Sequence, residues 1–189
     1  MRQLLNAPNQ LTMLRMMFLP FIVLTLLDKH YTWALALFVL AGLSDGLDGL
    51  LARRLHQQTQ LGQYLDPIAD KLLLSTLFLV LSILHKIPWK FTVIVFSRDV
   101  SILSASAVLY AIAGLRNFSP SVFGKANTTA QVGALFFVLL YQVNQAGWIW
   151  MTRRFFLWAT FALTIISAIH YVYLVGQRLH APHGSPTSA

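Results

Sequence analysis

Hydrophobic residues form six long runs along the chain, and short polar or Pro- and Gly-bearing stretches separate them. Each run approaches the roughly 20 residues that a helix needs to cross a bilayer. The pattern predicts an all-α integral membrane protein with six transmembrane helices, at about 11–27, 31–52, 66–85, 89–113, 127–146 and 154–176. We expect a single membrane domain over residues 1–178, followed by a disordered C-terminal tail at 179–189.

The composition agrees with a multi-pass membrane protein. Hydrophobic residues make up 57% of the 189 positions and charged residues 11%, and the mean hydropathy is +0.63. A soluble domain carries about 25% charged residues. The sequence contains no cysteine, which excludes disulfides and cysteine metal sites. In a membrane protein, a net charge of +8 indicates contact with anionic lipid headgroups rather than with nucleic acid.

The acidic residues are few and concentrated in one stretch. All six are Asp, and four of them lie between residues 45 and 70. Asp45 and Asp48 are three residues apart, and Asp66 and Asp70 are four apart, so each pair shares one helix face. A charge inside a membrane span is costly unless it is paired, metal-bound or hydrated. We therefore expect two neighbouring helix ends to direct four carboxylates at one volume.

Such a cluster of carboxylates suits divalent metal ions. Ligands that are all oxygen favour magnesium, manganese or calcium over zinc. Two such ions form a clamp for in-line attack at phosphorus. Nearby, Gly46, Gly49 and Gly62 would let a bulky ligand approach the backbone, and Arg53 could bind phosphate. The alternatives are close helix packing for the glycines and an interfacial position for the arginine.

Other polar residues lie inside the predicted spans, and their roles are open. Arg98 and Asp99 could bind a ligand or form a buried ion pair that only holds helices together. Asn127 and Gln131 are spaced to form hydrogen bonds between helices. Two other classes of function are compatible with an Asp cluster in a membrane, namely a cation transporter or channel and a non-catalytic scaffold.

Eight of these positions form a pattern with fixed spacing, Asp45-x-x-Asp48-Gly49-x-x-Ala52-Arg53, then eight residues, then Gly62-x-x-x-Asp66-x-x-x-Asp70. This pattern resembles the signature of the CDP-alcohol phosphotransferases, which are six-helix integral membrane enzymes. The segments "NAPNQLTMLRMMFLP", "YLDPIADKLL" and "FSRDV" are similar to those of phosphatidylglycerophosphate synthases and CMP-forming cardiolipin synthases. Asn127 in "GKANTTAQ", and Asp99 after Arg98, resemble the cardiolipin synthases more closely.

The resemblance implies a reaction and a substrate class. The donor is CDP-diacylglycerol, CMP leaves, and the acceptor is glycerol 3-phosphate, which gives phosphatidylglycerophosphate. The alternative acceptor is phosphatidylglycerol, which gives cardiolipin. The reaction requires a divalent metal, magnesium or manganese, with two ions expected.

The resemblance also implies roles for individual residues. Metal ligands are Asp45, Asp48, Asp66 and Asp70. Asp70 is in addition the general base that deprotonates the acceptor. CDP contacts come from Asp48, Gly49, Ala52, Arg53, Gly62 and Asp66. The acceptor is bound by Arg98, Lys125 and Lys71.

A cytoplasmic supply of CDP-diacylglycerol would require the active site to face the cytoplasm. We therefore expect a polar active-site cavity at the cytoplasmic interface of the bundle, in a bacterial inner membrane, with both termini in the cytoplasm. The partners that follow are the lipid donor, the acceptor and the bilayer, without nucleic acid. Homodimer formation is a further expectation from the family.

Overall fold

The computed structural model describes the backbone of residues 7–55, 60–113 and 122–180, and the side chains of residues 16–44, 70–101, 104 and 124–170. Across these residues the chain forms six α-helices and no strand. The helices are α1 (Ala7–Leu27), α2 (Tyr31–Leu55), α3 (Gln60–Ile83), α4 (Trp89–Ala113), α5 (Val122–Val143) and α6 (Gly147–His180). The prediction of an all-α fold with six helices is confirmed for the described residues.

Several helix boundaries were predicted wrongly, because helices continue past the apolar runs. α3 begins at Gln60 instead of about 66, and α6 extends from Gly147 to His180 instead of from about 154 to 176. α1 and α5 also begin earlier than predicted, and α2 ends later. Polar residues such as Gln and Arg have good helix propensity and extend a helix beyond its apolar part. The connection predicted at 53–63 is therefore partly helical, and so are residues 179–180 of the predicted tail.

Two short connections close with the same backbone motif. After α1, His30 N donates to Thr25 O at 2.8 Å, and Lys29 has a φ of 60°. After α3, Lys86 N donates to Leu81 O at 2.8 Å, and His85 has a φ of 57°. A six-to-one hydrogen bond across a left-handed residue is the Schellman motif, which satisfies carbonyl groups at a helix C-terminus. These tight turns make α1 antiparallel to α2 and α3 antiparallel to α4.

The apolar core places α3 at the centre of the bundle. α3 packs against α1, α4 and α5, while α5 and α6 form the most extensive helix pair. Most of the largest fully buried side chains come from α1, α3 and α5, among them Ile22, Leu26, Leu77, Phe78, Leu81, Leu135 and Leu139. Since α3 also carries Asp66, Asp70 and Lys71, the fold holds these candidate site residues on a helix that is packed on several sides.

The outer surface of the bundle is strongly apolar. Trp33, Met151, Phe155 and Ile169 are each more than 60% exposed, whereas soluble monomers rarely expose wide apolar patches. Among the described residues, Gly147–His170 in α6 is the one stretch with the length and composition to cross a bilayer. Met16–Leu27 and Tyr31–Ser44 are shorter apolar stretches. The number of membrane spans stays a prediction.

Candidate active site

The signature positions lie on two consecutive helices. α2 carries Asp45 and Asp48, and α3 carries Asp66 and Asp70. Because both stretches are helical, each Asp pair lies on one helix face, as its spacing predicts. The side chains of residues 45–69 fall outside the described part of the structure, so the convergence of the four carboxylates and the composition of the CDP pocket remain predictions. Asp70 itself is described and is half-buried.

Immediately after Asp70, an ion-pair network joins α3 to α4. Lys71 Nζ donates to Asp99 Oδ1 at 2.8 Å, and Arg98 Nη1 donates to the same oxygen at 2.7 Å. Ser75 Oγ lies 3.5 Å from the other oxygen, Asp99 Oδ2. The Arg98 and Asp99 side chains are 7% and 10% exposed, whereas that of Lys71 is 32% exposed. One buried carboxylate thus compensates two cations, and Lys71 is the member of the network that reaches the surface.

Arg98 extends this network to α6. Its Nη2 donates to Ser167 Oγ at 2.9 Å, while its Nε is buried without a hydrogen-bond partner. Arg98 and Asp99 do form a buried ion pair within α4, and the contacts to Lys71 and Ser167 connect this pair to α3 and α6. Acceptor binding by Arg98 stays a prediction. The guanidinium still has one buried N–H group to offer, so the ion pair leaves room for ligand binding by Arg98.

Five buried polar residues of α5 and α6 form what we call the polar seam: Asn127, Gln131, Thr160, Thr164 and Ser167. Of these, Ser167 contacts Arg98 of α4. Asn127 Oδ1 accepts a hydrogen bond from Thr164 Oγ1 at 2.9 Å, which confirms the predicted interhelical role of Asn127. Asn127 Nδ2, Gln131 Nε2 and Thr160 Oγ1 are buried and have no hydrogen-bond partner. The same role for Gln131 is therefore not supported by a contact among the described residues.

The α6 half of this seam was not predicted from the sequence. Thr160, Thr164 and Ser167 recur at i, i+4 and i+7 within an apolar helix, which places them on one face. That spacing was the available signal. It identifies a polar stripe but does not reveal which helix the stripe contacts.

Lys125 is exposed near the start of α5, away from the Asp99 network. The contact between Asn127 and Thr164 fixes the register of the antiparallel helices α5 and α6. Lys125 precedes Asn127 by two residues, or about 3 Å along the axis, and Ser167 follows Thr164 by three, or about 4.5 Å. Lys125 therefore lies near the level of Ser167 and Arg98. The structure brings Arg98 and Lys71 together at Asp99 and leaves Lys125 exposed, without a hydrogen bond or ion pair to either of them among the described residues.

Metal binding rests on the chemistry of the signature residues. Among the described side chains, no three of His, Cys, Asp or Glu lie close enough to hold a metal ion. The four signature Asp residues offer carboxylate oxygens, the donors that magnesium and manganese prefer. Their helical placement on α2 and α3 fits this use.

Comparisons with known proteins agree with the signature. The profile of the CDP-alcohol phosphatidyltransferase family matches residues 5–166. The chain is 33% identical over 184 residues to the CDP-diacylglycerol–glycerol-3-phosphate 3-phosphatidyltransferase of Yersinia enterocolitica, with 94% of each protein covered. It is 32% identical over 193 residues to the CMP-forming cardiolipin synthase of Rattus norvegicus, with 92% of this chain and 62% of that protein covered. The predicted resemblance is confirmed, and the chain belongs to the CDP-alcohol phosphatidyltransferase family.

Proposed function

We propose that this protein transfers the phosphatidyl group of CDP-diacylglycerol to glycerol 3-phosphate and releases CMP and phosphatidylglycerophosphate. The observation that carries the proposal is that Lys71 and Arg98 meet at Asp99, and that Lys71 follows the signature residue Asp70 in the chain. This arrangement provides cations for an anionic acceptor next to a carboxylate that can take its proton. The full-length similarity to the Yersinia enterocolitica enzyme supports the same acceptor.

The donor would be held by the signature residues. Asp45, Asp48, Asp66 and Asp70 would ligate two magnesium or manganese ions, and Gly49, Ala52, Arg53 and Gly62 would line the CDP pocket. When bound, the metal ions supply positive charge that neutralises the diphosphate. The protein's part is to fix the donor diphosphate beside α3, where Asp70 and the acceptor cations lie.

In the proposed reaction, Asp70 removes the proton from the acceptor hydroxyl. The acceptor oxygen then forms a bond to the phosphorus that carries diacylglycerol, and the bond from this phosphorus to the CMP oxygen breaks. CMP leaves with that electron pair. General-base assistance of this kind contributes typically about 10²–10⁴-fold to a rate.

The charges near Asp99 suit an anionic acceptor group. Lys71, Arg98 and Lys125 supply three positive charges, and Asp99 supplies one negative charge. A phosphate monoester carries about two negative charges at neutral pH, whereas a phosphodiester carries one. These four side chains sum to +2, and Asp70, next to Lys71 in the chain, lowers the sum to +1, so the charge matches an anionic acceptor of either kind.

The second candidate function is CMP-forming cardiolipin synthesis with phosphatidylglycerol as acceptor. The specific observation in its favour is Asn127, the residue that resembles the cardiolipin synthases. Asn127 is fully buried at the α5–α6 contact, and its Nδ2 has no hydrogen-bond partner among the described residues. The similarity to the Rattus norvegicus enzyme supports this alternative.

We further propose that all six helices lie in a bacterial inner membrane, with the active site facing the cytoplasm. The apolar outer surface supports the bilayer as surroundings. α2 and α3 extend polar helical ends beyond their apolar parts, so the signature residues would lie where a lipid headgroup enters from the interface. A homodimer remains a prediction from the family.

The decisive experiment presents each acceptor separately. Purified protein in detergent receives CDP-diacylglycerol and a divalent metal, together with either glycerol 3-phosphate or phosphatidylglycerol. CMP release and the mass of the lipid product are measured. We expect phosphatidylglycerophosphate from glycerol 3-phosphate, with turnover abolished in Asp66→Ala prepared in parallel. If phosphatidylglycerol gives cardiolipin and glycerol 3-phosphate gives no product, the second proposal replaces the first. If neither acceptor leads to CMP release, both proposals are overturned.

A further inference from the structure

The end of the bundle opposite the signature connection has a distinct composition. The connections at 28–30, 84–88 and 144–146 meet at this end. Four of the five tryptophans lie in the first turns of α2, α4 and α6, and the fifth lies about three turns into α6: Trp33, Trp89, Trp148, Trp150 and Trp158. Tryptophan is enriched where a membrane protein crosses the lipid–water boundary. This end is therefore expected at a membrane surface.

Three cations line one cleft at this end. Lys90 from α4 and Arg153 and Arg154 from α6 border a cleft of about 240 Å³. Lys90 Nζ lies 4.6 Å from the ring centre of Trp158, and Arg154 Cζ lies 5.5 Å from that of Trp150. No carboxylate among the described residues pairs with any of the three. The cleft therefore concentrates positive charge, and among the described residues its three cations contact aromatic rings and no carboxylate.

The aromatic rings compensate only part of the positive charge of Lys90, Arg153 and Arg154. A cation–π contact contributes about 0.5–1 kcal/mol at an exposed site. Arg153 Cζ lies 4.6 Å from the ring centre of Tyr141, but its Nε is buried and has no hydrogen-bond partner. An anion with several acceptor oxygens in the cleft would relieve the repulsion among the three cations. Phosphate has this chemistry, and arginine binds it with two parallel hydrogen bonds.

An apolar groove adjoins the cationic cleft. The groove has a volume of about 390 Å³ and shares Trp150, Arg154 and Trp158 with the cleft. Its other lining residues, Met151 and Phe155, are 69% and 66% exposed. A ligand that fills both depressions must carry an anionic head beside a hydrocarbon chain. A free phosphate compound would use only the cleft and leave the groove empty.

We propose that the cleft formed by Lys90, Arg153 and Arg154 binds the phosphate of one anionic phospholipid, with an acyl chain along the adjoining groove. This site lies at the end of the bundle opposite the signature connection. The inference rests on the proposal that the helices lie in a membrane. It does not depend on which acceptor the enzyme uses or on whether phosphatidyl transfer occurs.

Lipid binding to the full-length protein in detergent can be counted by native mass spectrometry. Phosphatidylserine is the anionic probe, because it is neither the proposed donor nor a candidate acceptor, and phosphatidylcholine is the zwitterionic reference. We expect the unmodified protein to retain one phosphatidylserine at concentrations where phosphatidylcholine dissociates. The double variant Arg153→Gln/Arg154→Gln should weaken phosphatidylserine binding about tenfold or more, since each charge-assisted hydrogen bond contributes measurably.

The matched control removes the same number of charges from the same end. Lys29 and Lys86 lie outside the cleft, and Lys86 Nζ is 5.3 Å from the ring centre of Tyr31. The double variant Lys29→Gln/Lys86→Gln should therefore change phosphatidylserine binding by less than about twofold. Lys90→Gln tests the cleft from α4 and should weaken binding several-fold even if the double arginine variant folds poorly. Equal losses in control and cleft variants, or equal retention of both lipids, would overturn the proposal.

Two further measurements identify the source of the phosphate and separate this proposal from the catalytic one. Glycerophosphoserine, which has the headgroup without chains, should fail to displace the lipid, and complete displacement would reject a lipid as the ligand. CMP release by the cleft variants should match that of the unmodified protein. If the unmodified protein releases no CMP yet keeps selective lipid binding, the catalytic proposal fails and the lipid site stands.

Discussion

Two regions of the bundle accommodate positive charge in different ways. Lys71 and Arg98 share the buried carboxylate of Asp99, whereas Lys90 and Arg154 lie over tryptophan rings at the opposite end. A buried cation without a partner is strongly destabilising, while an exposed one is solvated and needs little compensation. The difference accounts for the position of Asp99, which lies where two cations converge away from water. Changes near Asp99 should therefore affect folding and catalysis, and changes at the tryptophan-rich end should affect lipid contacts.

The largest effect is expected from Asp70→Asn, which keeps the shape of the side chain and removes its basicity. CMP release should fall by at least about 10²-fold, because a positioned general base contributes typically about 10²–10⁴-fold and the variant also loses a carboxylate proposed to ligate metal. Initial rates of CMP release at saturating substrate measure the effect. Asp28→Asn is the matched control, since Asp28 is exposed in the turn at the opposite end. A full rate in Asp70→Asn would remove Asp70 from the mechanism.

The next largest effect is expected from Asp99→Asn, which leaves two cations sharing a neutral amide. Breaking a buried ion pair lowers the free energy of unfolding by about 3–5 kcal/mol. We expect the lower part of that range, because Lys71 is 32% exposed and can turn toward water. Denaturant unfolding in detergent, followed by tryptophan fluorescence, measures the difference.

Asp28→Asn again provides the comparison for Asp99→Asn. It makes the same chemical change at an exposed position and should alter the free energy of unfolding by less than about 0.5 kcal/mol. In the surviving Asp99→Asn enzyme, KM for glycerol 3-phosphate should rise more than kcat falls, because Asp99 positions Arg98 and Lys71 and does not touch the reacting atoms. Equal stability of the two variants, with an unchanged KM, would contradict the role of Asp99.

The helices could be predicted from the sequence because apolar runs of bilayer length have few other structures available. Their ends could not be predicted so well. α3 begins with Gln60 and α6 includes Arg153, both of which a hydropathy pattern assigns to connections. Helical hydrogen bonding depends on the backbone, which continues through these residues whether or not they favour lipid.

The charged members of the site were predictable for a related reason. Arg98, Asp99 and Lys71 are conspicuous in apolar surroundings, and a partner or ligand must exist for each. Thr164 and Ser167 were missed because hydroxyl side chains are common in such helices and usually bond within their own helix. Thr152 and Thr128 do so, donating to Trp148 O and Gly124 O. Whether a hydroxyl instead reaches another helix depends on packing, which spacing alone does not specify.

The smallest predicted effect concerns two threonines of α6, one bonded to another helix and one bonded within its own. Thr164→Val removes the hydrogen bond to Asn127 and leaves a buried amide oxygen unpaired, so the free energy of unfolding should fall by about 1–2 kcal/mol. Thr152→Val is the matched control, because its hydroxyl is exposed and bonds only within α6. It should change the free energy of unfolding by less than about 0.5 kcal/mol. Equal losses would show that the tryptophan-rich end contributes to folding as much as the polar seam does, and the functional division between the two regions would no longer hold.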